Sequence, residues 1–138
     1  LAGSIRPYVQ RYCQQPAGAR ILLVEVPDSQ RFGVPELDAD DNILRIVEKP
    51  AQPPSRYAVI GVYMYDQLLW DILPALELSD RGQYAITDVQ NAYLQRGLLE
   101  YDIIDFGWSD AGTPESLFRA TTMMRDSDFL PAPQTGFE

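Results

Sequence analysis

Arg31-Phe32-Gly33-Val34, Val47-Glu48-Lys49-Pro50 and Tyr57-Ala58-Val59-Ile60-Gly61-Val62-Tyr63 follow one another within residues 31–63. Residues 57–65 are dense in aromatic and β-branched side chains and form the strongest strand signal in the chain. Residues 33–37 and 43–49 read as two strands joined by the polar turn Asp38-Ala39-Asp40-Asp41-Asn42. That acidic turn lacks the spacing and closing Glu of a calcium-binding EF-hand loop, so it reads as a solvated hairpin turn. Pro50, Pro53 and Pro54 make residues 50–54 a stiff extended connection.

Outward from this stretch, strands and helices interleave. Apolar residues at 5, 9, 12 and 13 predict a helix over 5–14, ended by residues 16–19. Residues 20–26 form a short, branched, apolar run and predict a buried strand. Asp66 is placed to cap a helix with Leu68, Leu69, Ile72 and Leu73 on one face, broken at Pro74. Ile86-Thr87-Asp88 opens another helix, capped by Thr87 and Asp88, with Val89, Ala92 and Tyr93 inward and Gly97 at its end. Residues 99–106 predict a strand. Thr113-Pro114-Glu115 starts a last helix, running to about Arg125, with Thr as N-cap, Pro at the first position and an acid in the first turn. The fold class is α/β, with a mixed, mostly parallel sheet flanked by helices.

The bulk composition bounds the function. The chain has 138 residues, one domain's worth, with 46% apolar and 22% charged residues, enough for a core. Its net charge of −9 opposes nucleic acid and anionic membranes. It contains no histidine, which excludes Ser-His and Cys-His dyads and His metal sites from this chain. The single Cys13 forms no internal disulfide and fits a reducing, cytoplasmic compartment as a passive thiol. No apolar run approaches the ~18–20 residues of a membrane span.

The three opening segments, in that order and spacing, resemble the sugar side of the sugar-1-phosphate nucleotidyltransferases, above all their glucose-1-phosphate thymidylyltransferase branch. Arg81-Gly82-Gln83-Tyr84-Ala85-Ile86-Thr87-Asp88 resembles that family's Arg-Gly-Glu-Leu-Glu-Ile-Thr-Asp, with Gln83 and Ala85 replacing the two glutamates. Trp108-Ser109-Asp110-Ala111-Gly112-Thr113 resembles Trp-x-Asp-Thr-Gly-Thr. The resemblance covers residues 20–124 and implies a Rossmann-like nucleotidyltransferase fold. It implies Phe32, Gly33, Glu48, Lys49, Val59 and Tyr63 as sugar-phosphate contacts, with Lys49 and Arg81 as catalytic cations and Asp110 as a Mg²⁺ ligand. The implied reaction joins a nucleoside triphosphate, dTTP in the nearest branch, to glucose 1-phosphate and releases pyrophosphate.

No Gly-rich phosphate loop precedes residue 31, so the chain reads as the sugar-binding half of such an enzyme. It would meet the nucleoside triphosphate only together with a nucleotide-binding N-terminal half. The expected organisation is residues 1–4 as an engineered scar or a remnant, residues 5–126 as the sugar-phosphate-binding part, and residues 127–138 as a loose tail. Leu1-Ala2-Gly3-Ser4 either marks the scar or holds Gly3 where a second metal-binding Asp belongs in a Leu-Gly-Asp-Asn motif. The expected associations are a homo-oligomer or packing against another chain, without nucleic acid or membrane. The alternative to an enzyme half is a degenerate homologue that serves as an interaction or weak sugar-phosphate-binding module.

Overall fold

The computed structural model describes residues 1–76 and 84–126. They form two units, Tyr8–Ile104 and Leu1–Pro7 with the described residues from Asp105 onward.

In the larger unit, strands β1 (Ala19–Glu25), β4 (Tyr57–Tyr65) and β5 (Leu99–Ile103) form a sheet in the order β4-β1-β5. The sheet is mixed: β1 pairs with β4 antiparallel and with β5 parallel. Its central strand has the composition of one covered on both faces: Ile21, Leu22 and Leu23 have no exposed surface. Each contributes roughly 1.5–3 kcal/mol of hydrophobic burial. The strand expected over 99–106 stops at Ile103, which pairs with Leu23. Ile104 still donates to Leu23 O at 2.9 Å, but β1 runs out two residues later.

The β1–β4 register shifts between Ile21↔Tyr63 and Leu23↔Val59. The irregularity therefore falls at residues 60–62, between two of the candidate contacts. Such bulges bend the strand and re-aim side chains.

Strands β2 (Gly33–Leu37) and β3 (Ile43–Glu48) form a separate antiparallel hairpin. Its turn is the one the sequence predicts: the Asp38 carboxylate accepts from the Asp40 and Asn42 amides at 2.9 and 2.8 Å. The Asn42 side-chain amide also donates to it, at 3.0 Å to Oδ2, and that bond first, with the Asn42 backbone amide second, holds the carboxyl below its ordinary value. The hairpin packs on the sheet through Ile43, Ile46, Val59, Ile21 and Leu23.

A second core cluster joins Ala19 to Ile72, Val89 and Tyr93, under α2 (Leu69–Ile72) and α3 (Ile86–Leu94). The helix expected around 68–73 is a single α-turn passing into a 3-10 turn at Leu73–Ala75, because Pro74 has no N–H to continue the ladder. Helix α3 starts as expected but is not capped by Thr87 or Asp88. Its N-cap is Ala85, with no side-chain cap, and Thr87 is buried instead. Gly97 follows α3 with φ +67. In α1 (Arg6–Gln14) the buried residue is Tyr8, while Val9 and Cys13 are exposed, so the apolar face predicted from 5, 9, 12 and 13 is displaced. Asp102 ties α1 to the sheet by pairing with Arg11 and, at 2.7 Å, with Arg20.

In the smaller unit, α4 (Pro114–Arg125) begins with a full capping box. Thr113 Oγ1 accepts from Ser116 N at 3.1 Å, and Ser116 Oγ accepts from Thr113 N at 3.0 Å. No helix among the described residues is long and apolar enough to cross a membrane.

Candidate functional site

The open end of the β2–β3 hairpin gathers four of the expected site residues. Gly33 and Glu48 are register partners. One residue on, Lys49 leaves the strand with φ +43, a left-handed conformation that non-glycine residues rarely hold. Its amide donates to Phe32 O at 2.9 Å and closes the hairpin end. Pro50 cannot extend the ladder. The reversal brings Lys49 Nζ to 3.7 Å from Glu48 Oε1, so adjacent residues that would diverge on a regular strand present their charges together. Both side chains are solvent-accessible, at 68% and 42%. The Arg31 guanidinium lies 5.5 Å from the centre of the Phe32 ring.

Tyr63, on β4, faces the same region. Burial raises its phenol pKa above the ordinary value, and the Glu48 charge raises it further. Val59 is buried in the cluster that holds the hairpin to the sheet. Among the described strands β4 is an edge, so it has backbone groups facing away from β1. Arg81 and Gln83 lie outside the described residues.

Gly33 has a packing role that the sequence did not reveal. A Cβ on it would stand 2.9 Å from Thr87 Cγ2 and 3.7 Å from Glu48 Oε2. The missing side chain thus lets the first turn of α3 settle against the hairpin. One turn later Asn91 clamps β3: its amide accepts from Ile46 N and donates to Ile46 O, both at 2.8 Å. A strand neighbour would satisfy the same groups. The available signal was the polar series Thr87, Gln90 and Asn91 on a helix that otherwise turns Val89 and Tyr93 inward. Gly33→Ala is expected to destabilise the chain by about 1–3 kcal/mol through overpacking against Thr87. Thermal melting checks this, and Gly33→Ala combined with Thr87→Ser should recover part of the loss.

Asp110 lies in the smaller unit, in the segment leading to α4. A Cβ on Gly112 would stand 3.2 Å from Asp110 Oδ2, so the carboxylate folds over a position without a side chain. The α4 N-terminus that follows carries partial positive charge. Among the described residues no three Asp, Glu or Cys side chains cluster as a metal cage. A single carboxylate still suits Mg²⁺, which commonly takes one or two carboxylates and completes its shell with phosphate oxygens and water. Gly3 is tightly placed: a Cβ there would run into the Phe106 ring, and Ala2 N donates to Gly107 O at 2.8 Å. In this arrangement position 3 has no room for an aspartate.

The sequence signature of the nucleotidyl transferase family matches residues 4–127. Over 125 residues the chain is 41% identical to a glucose-1-phosphate thymidylyltransferase of Actinoplanes sp., covering 89% of this chain and 41% of the relative. It is 33% identical to a nucleotidyltransferase of low-salt glycan biosynthesis from Haloferax volcanii, over 82% of this chain and 32% of that protein. The chain thus spans about two-fifths of the Actinoplanes relative and a third of the Haloferax one. A solved Bacillus anthracis structure, assigned as a glucose-1-phosphate thymidylyltransferase and crystallised with sucrose, superposes with a TM-score of 0.84 at 43% identity. It covers 94% of this chain and 52% of its own. An apo UDP-glucose pyrophosphorylase, 22% identical, superposes with a TM-score of 0.71 over 86% of this chain and 45% of that one, and so shares the fold.

Proposed function

We propose a function from one premise: the chain belongs to the nucleotidyl transferase family. Its larger unit binds a sugar 1-phosphate, of which glucose 1-phosphate is the first candidate, for transfer to a nucleoside triphosphate with release of pyrophosphate. The observation that carries this reading is Lys49. A non-glycine residue held at φ +43 beside an accessible carboxylate is a conformation that costs on the order of 1–3 kcal/mol, and such strain gathers at ligand sites.

The chemistry divides among the residues as follows. Glu48 accepts from sugar hydroxyls, and Lys49 meets the phosphate. Phe32, Gly33, Val59 and Tyr63 shape the sugar face through backbone and ring, and Arg81 adds a second cation to the phosphate. Asp110 would hold Mg²⁺, which would neutralise phosphate charge. Holding the sugar phosphate in line with the α-phosphorus is the main task, since phosphoryl chemistry asks the protein chiefly for positioning and charge.

With only one of the expected carboxylate ligands on the chain, the 138 residues alone are expected not to turn over. A coupled pyrophosphate-release assay with dTTP, glucose 1-phosphate and Mg²⁺ tests this. Robust turnover by the isolated chain would contradict the half-site reading.

Asp110 is tested without turnover. Mn²⁺, a paramagnetic stand-in for Mg²⁺, is expected to broaden the amide resonances of residues 108–113 at millimolar concentration. Asp110→Asn keeps the turn geometry and removes the charge. It should abolish that broadening and leave the melting temperature within about 1–2 °C, since a surface change of this kind is worth under ~0.5 kcal/mol. Equal broadening in the Asn variant removes Asp110 from the metal site.

A further inference from the structure

One side chain of α3 grips β3 just before the site. Ile46, two residues ahead of Glu48, stands opposite Pro35 on β2. Proline has no N–H to offer a strand partner. Both backbone groups of Ile46 go instead to Asn91: its carboxamide oxygen accepts from Ile46 N, and its nitrogen donates to Ile46 O, both at 2.8 Å. Ile46 is buried, so water is a poor substitute for that amide. The hairpin turn does not by itself fix what lies beyond. The β2–β3 register shifts between Glu36↔Arg45 and Leu37↔Ile43, which leaves Leu44 as an extra residue. A bulge of this kind interrupts the ladder between the turn and the open end of the hairpin. Asn91 holds β3 on the site side of that bulge.

The aim of Glu48 depends on this grip. Residues two apart share a strand face, so Glu48 lies on the face by which Ile46 enters the core beside Val59, with Tyr63 packed against the same cluster. The Glu48 charge reaches the Tyr63 phenol on that side. A slip of one residue would turn Glu48 to the opposite face. Lys49 follows directly at φ +43, and its amide meets Phe32 O while Glu48 stays opposite Gly33.

We propose that Asn91 is a positioning residue for the sugar site: by clamping Ile46 beyond the β3 bulge, it sets the register that aims Glu48 and turns Lys49. The proposal rests on the sugar-phosphate reading above and extends it to a residue outside the expected contact set. Asn91 does not itself touch the sugar. It acts through β3.

The test exploits the chemistry of the clamp. In Asn91→Asp the neutral carboxylic acid still accepts from Ile46 N and donates to Ile46 O, whereas the ionised carboxylate has no donor left. Facing a carbonyl oxygen and partly buried, the introduced carboxyl titrates above the ordinary carboxylate range. The clamp is therefore complete below that pKa and lost as pH rises through it. The charged neighbours in the groove beside Asn91 are Arg45, on β3, and Asp88, on α3; both are present in the wild type, and Arg45 is already bound to Glu36 at 2.6 Å. Whole-chain wild type and variants are titrated with glucose 1-phosphate from pH 5 to pH 8, each variant being compared with wild type at the same pH. Asn91→Leu is expected to bind about tenfold more weakly throughout, and Asn91→Asp near the wild-type level at pH 5 but about tenfold more weakly at pH 8. Val89→Ala, which loosens α3 from its other buried face, should lower the melting temperature and leave the affinity of the folded chain unchanged. An Asn91→Asp affinity that keeps a constant ratio to wild type across this range overturns the positioning role. So does a loss in Val89→Ala equal to that in Asn91→Leu, which marks general loosening. Both results leave the sugar-phosphate reading standing. That reading fails, and the positioning role with it, if the wild-type chain does not bind glucose 1-phosphate at any pH tested.

Discussion

Lys49→Gly is expected to separate stability from binding in opposite directions. The lysine holds φ +43, and glycine reaches that region without a Cβ penalty. Folding stability should stay level or rise by up to about 1 kcal/mol. The amide that donates to Phe32 O is retained, so the hairpin end stays closed. The ammonium is lost, and with it the charge proposed to meet the sugar phosphate. A charge contact of this type is worth roughly 2–4 kcal/mol, about 30- to 1,000-fold in affinity or in kcat/KM. The Nζ group is largely exposed and already 3.7 Å from Glu48, so solvent screening favours the lower end of that range. Calorimetric binding and thermal melting on the same variant check both halves. A variant that loses stability and keeps its affinity would mark Lys49 as an ordinary strand end.

Gly18→Ala should be among the most damaging single changes to the fold. Gly18 has φ +100, and a Cβ there would run into the Leu98 carbonyl oxygen, a backbone atom that cannot swing aside. That oxygen already accepts from Ala19 N at 2.8 Å, the bond that seats the start of β1 beside the entry to β5. The Gly18 amide donates to Asp66 Oδ2 at 2.6 Å. Burial alone would raise the Asp66 carboxyl, but the hydrogen bonds from Gly18, Tyr93 and Leu68 outweigh it and hold the carboxyl below its ordinary value. The substitution would therefore disturb the α1–β1 turn, the end of β4 and α3 together. Backbone strain of about 1–3 kcal/mol and a clash of similar size sum to on the order of 3–5 kcal/mol. For a domain of this length that lowers the melting temperature by on the order of 10–20 °C. A shift of only a few degrees would show that the turn re-forms without the Gly18–Asp66 bond.

The larger elements were legible because their signals are local. The Asp38–Asn42 turn announces itself by short polar side chains that bond their own backbone, and the α4 start by Thr, Pro and Glu in the right order. What failed to read was set by distant partners. The strand at 99–103 stops opposite Leu23, two residues short of the end of β1, a limit that its own sequence does not carry. Thr87 looks like a cap by composition, yet the hairpin glycine opposite draws it inward. The buried face of α1 follows Tyr8, whose ring the apolar count at 5, 9, 12 and 13 passed over.

The site shows the same division. The order and spacing of Phe32-Gly33, Glu48-Lys49 and Val59 to Tyr63 were visible as a family pattern. The pairing of Gly33 with Glu48 and the reversal at Lys49 exist only once the hairpin has formed. Conversely, Asp110 was easy to single out by its motif, and the fold sets it in the smaller unit.

The central claim is that the hairpin end and the adjoining β4 face bind a sugar 1-phosphate. Titrating glucose 1-phosphate into the isotopically labelled chain, and following its backbone amide resonances, tests that claim most directly. The account predicts saturable shifts centred on Phe32, Gly33, Glu48, Lys49, Val59 and Tyr63, abolished by Lys49→Gly. Saturable shifts centred on other residues, or shifts at these six that persist unchanged in Lys49→Gly, would contradict it.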